Sequence, residues 1–228
     1  MALHAVPSLP RMTSSADHQN QPYQTSGGQP PLGLDPLSLA ERLGAGSAAL
    51  FPTDTVPALA ARPEFAHQLW ALKHRPSAKP LILMAADPDP LFAALGLEVR
   101  QEWCAMAARW WPGALTLVLP ARGPLVAELH PGAEPGDASL GLRIPACGPA
   151  LDLLRLTGPL ATTSANRSGE PACLSATEAA LTFPDLPLLA PLPWPTPGGA
   201  ASTVLAWTPT GEWRVLRAGA VMPSGCLP

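Results

Sequence analysis

Two short polar patterns in this sequence have the composition of an anion-binding site. The first is Lys73-His-Arg75, and the second, far downstream, is Ser164-Ala-Asn166. A lysine ammonium is a compact charge, whereas an arginine guanidinium offers two parallel N–H donors to a phosphate or a carboxylate. Serine and asparagine add uncharged donors and acceptors. Together the two patterns predict a site that positions an anion by charge and hydrogen bonding.

The lysines of the chain are concentrated in this segment. Of the 14 Lys plus Arg, the only lysines are Lys73 and Lys79. Either this place requires a compact ammonium, or the clustering is chance in a sequence whose base composition favours arginine. The lysine count alone leaves both explanations open.

Further polar residues at or near the ends of predicted strands are candidates for substrate binding. They are Thr53, Thr55, Thr116, Arg143, Thr163, Ser202 and Arg217. Taken singly, each has a structural explanation, since hydroxyl residues cap helices and turns and arginines are common surface cations. Their order along the chain, taken together, favours a binding site.

The apolar pattern predicts alternating helices and strands that would position these residues. Helices are expected over residues 35–43, 63–73, 98–111, 149–156 and 176–183. Strands are expected over residues 47–51, 80–85, 114–119, 140–144, 159–163, 202–207 and 213–217. This alternation is typical of an α/β fold. We therefore expect a single α/β domain with a mixed sheet.

The ends of the chain differ in composition from its middle. Residues 1–33 are rich in Gln, Ser, Pro and Gly and are predicted to be a disordered tail. Residues 34–221 form the expected domain, and residues 222–228 a short C-terminal tail. Prolines interrupt any apolar run that could serve as a signal peptide, and no segment approaches the roughly 18 apolar residues of a membrane span. A cytoplasmic protein without membrane contact is expected.

The charge and the cysteines exclude several other classes of function. The net charge is −3, and no basic stripe typical of a long nucleic-acid track is visible. The four cysteines, which have no CxxC spacing, are expected to be buried free thiols. They are Cys104, Cys147, Cys173 and Cys226. The GxGxxA pattern over residues 44–49 closes a predicted helix and enters a strand, the reverse of a dinucleotide fingerprint.

A series of motifs in a fixed order resembles the YrdC/TsaC family of L-threonylcarbamoyladenylate synthases. The motifs are PTDT at 52–55, KHRPSAKPL at 73–81, WPGALT at 111–116, GLRIP at 141–145, TTSANRSG at 162–169, STV at 202–204 and LRAG at 216–219. The most specific element is the pairing of KxR with SxN. No Walker A motif is present, so ATP would bind without a P-loop.

The resemblance implies a twisted mixed sheet with helices around a large concave cavity. It also implies that L-threonine, bicarbonate or CO₂, and ATP react to give threonylcarbamoyl-AMP and pyrophosphate, the first step of threonylcarbamoyladenosine formation in tRNA. Mg²⁺ would be held mainly by the ATP phosphates. The product would pass to a downstream threonylcarbamoyl transferase complex, and weak RNA or tRNA binding is expected.

The resemblance also assigns roles to the candidate residues. Catalysis would rest on positioning and charge stabilisation without a His/Asp dyad. The catalytic residues would be Lys73, Arg75, Ser164 and Asn166. The residues that contact ATP or threonine would be Thr53, Thr55, Thr116, Arg143, Thr163, Ser202 and Arg217.

One segment departs from the family pattern and keeps alternatives open. The family usually has Tyr-Gly where this chain has Pro57-Ala58, and a glycine permits close backbone approach or a positive φ. This change raises the hypothesis of a YciO-like module that binds RNA or nucleotide with little synthase activity. A second alternative is a carbamoyl-transfer module of hydrogenase maturation. Those modules sit in longer chains with zinc-finger-like cysteines, which this sequence lacks.

Overall fold

The computed structural model describes residues 33–134 and 138–226, together with Met1. The predicted N-terminal tail lies outside these residues apart from Met1 and Gly33. Gly33 pairs with Leu188 at one edge of the sheet, so the ordered domain includes it.

The described strands form one sheet of ten strands. They are β1 (Gly33–Leu34), β2 (Ala49–Phe51), β3 (Ala58–Ala61), β4 (Ile82–Met84), β5 (Leu115–Pro120), β6 (Ser139–Arg143), β7 (Leu160–Ser164), β8 (Leu188–Leu189), β9 (Thr203–Trp207) and β10 (Trp213–Arg217). Their order is β1-β8-β2-β3-β7-β4-β6-β5-β9-β10. Parallel pairs such as β4–β6 and antiparallel pairs such as β5–β6 occur together, which confirms the predicted mixed sheet.

Seven α-helices and one 3₁₀ turn connect the strands in the described ranges. They are α1 (Pro36–Gly44), α2 (His67–Lys73), α3 (Pro88–Ala93), α4 (Gln101–Trp110), α5 (Pro124–Leu129), α6 (Gly148–Thr157) and α7 (Ala176–Thr182), with the 3₁₀ turn at Pro63–Phe65. The start of α1 is set as predicted, because Asp35 Oδ1 accepts from the backbone N–H groups of Leu37 and Ser38 at 3.0 and 3.1 Å.

The apolar side chains form two cores, one on each face of the sheet. On one face, α1 and α6 pack over Phe51 with Leu39, Leu43, Leu153 and Leu154, all buried. The larger core on the other side includes residues of α2, α4 and α5. Full burial of one such leucine is worth about 1.5–3 kcal/mol.

The sequence predicted most of these elements and missed several short ones. Strand β3, the two-residue strands β1 and β8, and the six-residue helices α3 and α5 were not predicted. The helix predicted over residues 63–73 is divided, because the Pro63–Phe65 turn precedes α2.

All four cysteines are free thiols, but only two of them are buried. Cys147 and Cys173 are buried as predicted, whereas Cys104 is exposed on the outer side of α4 and Cys226 is half-buried. The prediction of burial was therefore wrong for Cys104 and Cys226. Among the described residues, no helix is both long and apolar enough to cross a membrane.

Candidate active site

A cavity of about 460 Å³ lies against one face of the sheet. Thr162, Ile82, Gly141 and Val118 lie side by side on the adjacent strands β7, β4, β6 and β5, and all four line this cavity. Side chains alternate between the two faces of a strand, so residues two positions further along also line it. These residues are Ser164, Met84, Arg143 and Thr116. The volume is in the range of small-molecule sites.

Arg143 is buried at the end of β6 and is held by the segment that follows β2. Its guanidinium donates to Asp54 Oδ1 at 2.7 Å, to Thr55 Oγ1 at 2.8 Å and to the Gly113 carbonyl at 3.0 Å. Burial lowers the pKa of Arg143, and the adjacent Asp54 carboxylate acts in the opposite direction. Asp54 therefore compensates a charge that would otherwise be buried alone.

Thr53 organises this segment from behind the cavity wall. Its Oγ1 donates to the Val56 carbonyl at 2.7 Å and accepts from the Thr55 N–H at 3.1 Å. Thr53 is not a lining residue, whereas Thr55 lines the cavity. The side chain of Thr53 thus fixes the turn that presents Thr55 and Asp54 to Arg143.

Lys73 ends α2 with its ammonium turned toward the segment that follows β7. Lys73 Nζ donates to the Ser164 carbonyl, to the Asn166 carbonyl at 2.7 Å and to Asn166 Oδ1 at 2.8 Å. The residue is 2% exposed and does not line the cavity. Burial, and secondarily the Arg75 charge, lower the pKa of Lys73 to about 8. All three N–H groups of the ammonium therefore donate to the turn formed by residues 164–166.

The side-chain oxygen and nitrogen of Asn166 are also used in hydrogen bonds within the protein. Its Oδ1 accepts from Ser164 Oγ at 2.6 Å as well as from Lys73. Its Nδ2 donates to the carbonyls of Arg167 and Glu170 at 2.9 and 2.7 Å. Asn166 does not line the cavity, whereas Ser164 does. Lys73 and Asn166 together fix the turn that carries Ser164.

Arg75 extends into the cavity wall next to this turn. Its guanidinium donates to Thr163 Oγ1 at 3.0 Å and to the Pro80 carbonyl at 3.1 Å, and Nε is buried without a partner. Desolvation lowers the pKa of Arg75. Within the described residues, two of its five N–H donors are used and the Nε–H is buried, so two N–H groups remain for a ligand.

A third cluster closes the cavity on the side of β9 and β10. Thr116 Oγ1 and Ser202 Oγ are 2.9 Å apart. Arg217 donates to the Ser202 carbonyl through Nη2 at 2.8 Å and through Nε at 3.2 Å. Burial lowers the pKa of Arg217. Hydrogen bonds thus connect Thr116, Ser202 and Arg217, which come from three different parts of the sheet, at this side of the cavity.

The cavity has a positive lining. Arg75, Arg143 and Arg217 all line it, and no carboxylate is among the described lining residues. Asp54 neutralises Arg143 from behind the wall, which leaves Arg75 and Arg217 without an acidic partner in the described ranges. Anionic ligands are therefore favoured.

Most residues predicted from the sequence converge on this cavity. Those that line it are Thr55, Arg75, Thr116, Arg143, Thr163, Ser164, Ser202 and Arg217. Thr53, Lys73 and Asn166 lie behind the wall and hold lining residues in place. The sequence did not indicate His130, which also lines the cavity directly after α5, a helix that was not predicted.

Pro57 and Ala58, which depart from the family pattern, line the cavity as well. Ala58 is the first residue of β3 and pairs with Phe51 on one side and Ser164 on the other. His74 is the only non-glycine residue with a positive φ among the described residues, so Ala58 adopts an ordinary strand conformation. The chain therefore accommodates alanine here without backbone strain.

Comparison with known proteins shows which family this site belongs to. The family model of Sua5, YciO and YrdC proteins, described as telomere recombination, matches residues 41–219. The threonylcarbamoyl-AMP synthase of Bacillus subtilis (strain 168) is 37% identical over 125 residues, which cover 53% of this chain and 35% of that protein. The synthase of Pyrococcus abyssi is 37% identical over 142 residues, which cover 60% of this chain and 40% of that protein.

A shorter relative is matched over more of its length. The threonylcarbamoyl-AMP synthase of Pseudomonas savastanoi pv. phaseolicola is 34% identical over 139 residues, which cover 60% of this chain and 72% of that protein. The chain thus spans well under half of the first two relatives and most of the third.

Solved structures share the fold. Pyrococcus abyssi Sua5 in complex with L-threonine aligns with a TM-score of 0.72 at 31% identity, over 81% of this chain and 54% of that chain. Escherichia coli YciO aligns with a TM-score of 0.72 at 19% identity, over 86% of this chain and 96% of that chain. The family model covers most of the sequence and the fold agrees, so this chain belongs to the Sua5/YciO/YrdC family.

Proposed function

We propose that this protein is a threonylcarbamoyl-AMP synthase. It would convert L-threonine, bicarbonate or CO₂, and ATP into threonylcarbamoyl-AMP and pyrophosphate, and so begin threonylcarbamoyladenosine formation in tRNA. The relatives at 34–37% identity carry this name, and the Pyrococcus abyssi relative was solved with L-threonine.

One observation carries the proposal. The KxR and SxN patterns, distant in the sequence, are hydrogen-bonded to each other at the wall of a positively lined cavity through Lys73 and Asn166. A turn fixed in this way is preorganised, so it needs no rearrangement when charge develops on the substrate. Such a site suits a reaction between two anions, a carbamate and a triphosphate.

The chemistry requires positioning more than covalent catalysis. The carbamate oxygen attacks the α-phosphorus of ATP, and the bond to the bridging oxygen breaks as pyrophosphate leaves. Free N–H donors of Arg75 and Arg217 would bind phosphate or carboxylate oxygens. Holding the two anions together against their repulsion is the main contribution expected from the arginines.

Lys73 and Asn166 are given a positioning role in this proposal. They set the orientation of Ser164, whose Oγ lies between the turn and the cavity. A direct contact between Lys73 and phosphate is not part of this proposal, because all three N–H groups of the ammonium donate to the turn.

Mg²⁺ would enter the site with ATP. Its preferred ligands are oxygens, and it commonly keeps several waters and binds substrate phosphates. The described lining offers hydroxyls of Thr55, Thr116 and Ser202 rather than carboxylates. This donor set fits a metal that is carried by the triphosphate and neutralises its charge.

A nucleotide-binding module with little synthase activity is the second candidate. The observation that favours it is Pro57-Ala58, which lines the cavity where the family usually has Tyr-Gly. The site would then bind ATP but hold threonine weakly. Weak RNA or tRNA binding, and transfer of the product to a threonylcarbamoyl transferase complex in the cytoplasm, belong to the first proposal.

Pyrophosphate release distinguishes the two candidates. The protein is incubated with ATP, Mg²⁺ and bicarbonate in three separate reactions. The first contains threonine, the second contains serine, and the third contains neither amino acid. The proposal predicts pyrophosphate release that depends on threonine. Equal release with and without threonine, while ATP still binds, would favour the nucleotide-binding module.

A further inference from the structure

The proposed reaction must dispose of a proton. Threonine enters as an ammonium, R–NH₃⁺, and leaves as R–NH–COO⁻, so its nitrogen loses two protons. With bicarbonate as the carbon source, one proton leaves in the water formed from the bicarbonate hydroxyl. The other proton needs an acceptor. An amine attacks carbon only through a free lone pair, so this acceptor must reach the nitrogen before the N–C bond forms.

Few groups around the cavity can take that proton. The titratable side chains among the described lining residues are Arg75, Arg143, Arg217 and His130. Guanidinium groups stay protonated in proteins and accept nothing. Histidine is the side chain whose ordinary titration lies between about pH 5 and 8. His130 is therefore the one titratable side chain among the described lining residues that can accept a proton.

The two nearest alternative proton acceptors, Lys73 and Asp54, are engaged in hydrogen bonds within the protein. Lys73 lies behind the wall with its three donors accepted by the Ser164–Asn166 turn. Asp54 is not a lining residue, and its Oδ1 accepts from both Arg143 and the Ala146 N–H. Neither side chain faces the space in which the amine must react.

The backbone holds His130 firmly at the cavity wall. It follows the last residue of α5, and its N–H donates to the Val126 carbonyl at 2.7 Å. Its own carbonyl accepts from the Ala133 N–H at 3.0 Å. The Leu129 carbonyl accepts from the Leu81 N–H at 2.8 Å, which ties the end of α5 to the chain just before β4. The backbone of His130 is thus held by hydrogen bonds before and after this residue, and the residue is half-buried.

This position brings His130 to the Arg75 side of the cavity. The carbonyl of Pro80, the residue before Leu81, accepts from Arg75 Nη2 at 3.1 Å, and Pro80 also lines the cavity. An anion bound by Arg75, such as bicarbonate or the threonine carboxylate, would lie on the same wall as the imidazole. His130 Nδ1 is buried with no protein partner among the described residues, which is uncommon for a buried polar atom. A ligand in the cavity would therefore meet the imidazole through Nε2.

We propose that His130 accepts the proton released when the amine of threonine becomes a carbamate. The N–H bond of the ammonium breaks, its electron pair forms the N–C bond to the bicarbonate carbon, and the proton goes to the imidazole. His130 would release that proton to solvent before the next turnover. The inference rests on the proposed synthase function and adds a catalytic base to it.

The test compares His130→Gln and His130→Ala with the wild type and with His67→Gln. His67 is exposed on α2 and does not line the cavity, which makes it a matched control. Glutamine keeps hydrogen-bonding capacity but accepts no proton near neutral pH. We expect both His130 variants to lower kcat for threonine-dependent pyrophosphate release about 10²–10⁴-fold. The Kd for ATP and the melting temperature should stay at wild-type values.

Two further measurements exclude a merely structural role. Below about pH 8, the rate of His130→Gln should rise in proportion to the neutral fraction of the threonine amine, whereas the wild-type rate should rise less steeply. The reverse reaction from threonylcarbamoyl-AMP and pyrophosphate to ATP breaks no N–H bond in its phosphoryl-transfer step. It should stay near the wild-type rate in a single turnover.

Three results would overturn the assignment. They are a kcat of His130→Gln within about twofold of wild type, a parallel loss of the forward and reverse reactions, and a loss of ATP binding. A wild-type protein that releases no pyrophosphate with threonine would instead overturn the proposed synthase function. The two failures are thus distinguished by the wild type alone.

Discussion

Lys73 Nζ donates to both oxygens of Asn166, to the carbonyl at 2.7 Å and to Oδ1 at 2.8 Å. This contact joins the end of α2 to the turn after β7. The reverse link is also present, because the Ser168 N–H donates to the Lys73 carbonyl at 2.8 Å. The two patterns that suggested an anion site in the sequence are therefore one structural unit, and that unit presents Ser164 to the cavity.

Removal of either member of this unit should lower synthase activity strongly. Loss of a preorganised group of this kind typically costs about 10²–10³-fold in kcat. We expect this for Lys73→Ala and for Asn166→Ala. The double variant should be little worse than either single one, because the two residues act together. Lys79→Ala is the matched control, since Lys79 is exposed and does not line the cavity.

Lys73→Arg should restore only part of the activity of Lys73→Ala. A planar guanidinium cannot donate to three acceptors that surround a single ammonium nitrogen. Full activity in Lys73→Arg, or additive losses in the double variant of Lys73 and Asn166, would contradict the proposed unit. Steady-state pyrophosphate release measures the activity of Lys73→Arg and of the double variant.

The protonation state of Lys73 should limit activity at alkaline pH. Burial lowers its pKa from 10.5 to about 8, so the ammonium loses a proton in the folded protein at a lower pH than in the unfolded chain. Above that pH the neutral amine has one N–H fewer for its three acceptors, and synthase activity should fall.

Only two lysines are present, which makes this pKa directly measurable. Lysine labelled with ¹³C at Cε should give two signals, and Lys79→Arg assigns the one that remains to Lys73. A midpoint near pH 8 for that signal, with the activity falling over the same range, supports the account. A midpoint above about pH 10, the ordinary range of lysine, would contradict it.

The ion pair between Asp54 and Arg143 should be important for stability. Their side chains are 17% and 4% exposed, so Asp54→Ala leaves a buried guanidinium without its counter-charge. Breaking such a pair costs about 3 kcal/mol in the free energy of unfolding. Asp152→Ala breaks the exposed pair with Arg155 and should have little effect. Urea denaturation at neutral pH compares the two variants, and equal midpoints would argue against the role given to Asp54.

The Pro57-Ala58 segment should affect the affinity for threonine more than the affinity for ATP. If the altered segment has been compensated, the wild type still prefers threonine over serine, by roughly 10–200-fold for one methyl group in an apolar pocket. If it has not, the double substitution Pro57→Tyr with Ala58→Gly should tighten threonine binding and leave the Kd for ATP unchanged. Titration of both ligands decides between these outcomes. A change in ATP affinity alone would place the segment in the nucleotide half of the cavity.

Local sequence signals were enough for the longer elements of the fold. Asp35 before Pro36 marked the start of α1, and the apolar run between two prolines marked β5. Strand β3 was missed because Ala-Leu-Ala-Ala contains no β-branched or aromatic residue, the usual signal of a strand. Its place in the sheet is decided by its pairing with β2 and β7, and this pairing is not visible in the local pattern of β3.

The site was predictable as a set of residues but not as an arrangement. Order and spacing of the motifs indicated Arg75, Arg143 and Arg217, and all three line the cavity. The direction of the Lys73 side chain depends on acceptors more than 90 residues downstream, which no local pattern reveals. His130 was missed for a similar reason, since it reaches the cavity only because α5 is tied to the segment before β4.

The central claim is that the protein forms threonylcarbamoyl-AMP, and isotope incorporation tests it most directly. The protein is incubated with ATP, Mg²⁺, threonine and ¹³C-bicarbonate, and the products are separated and identified by mass spectrometry. The account predicts a threonine- and ATP-dependent adenylate that carries one ¹³C atom, formed in equal amount with pyrophosphate. Pyrophosphate or AMP without a ¹³C-labelled adenylate, from a protein that binds ATP, would contradict it.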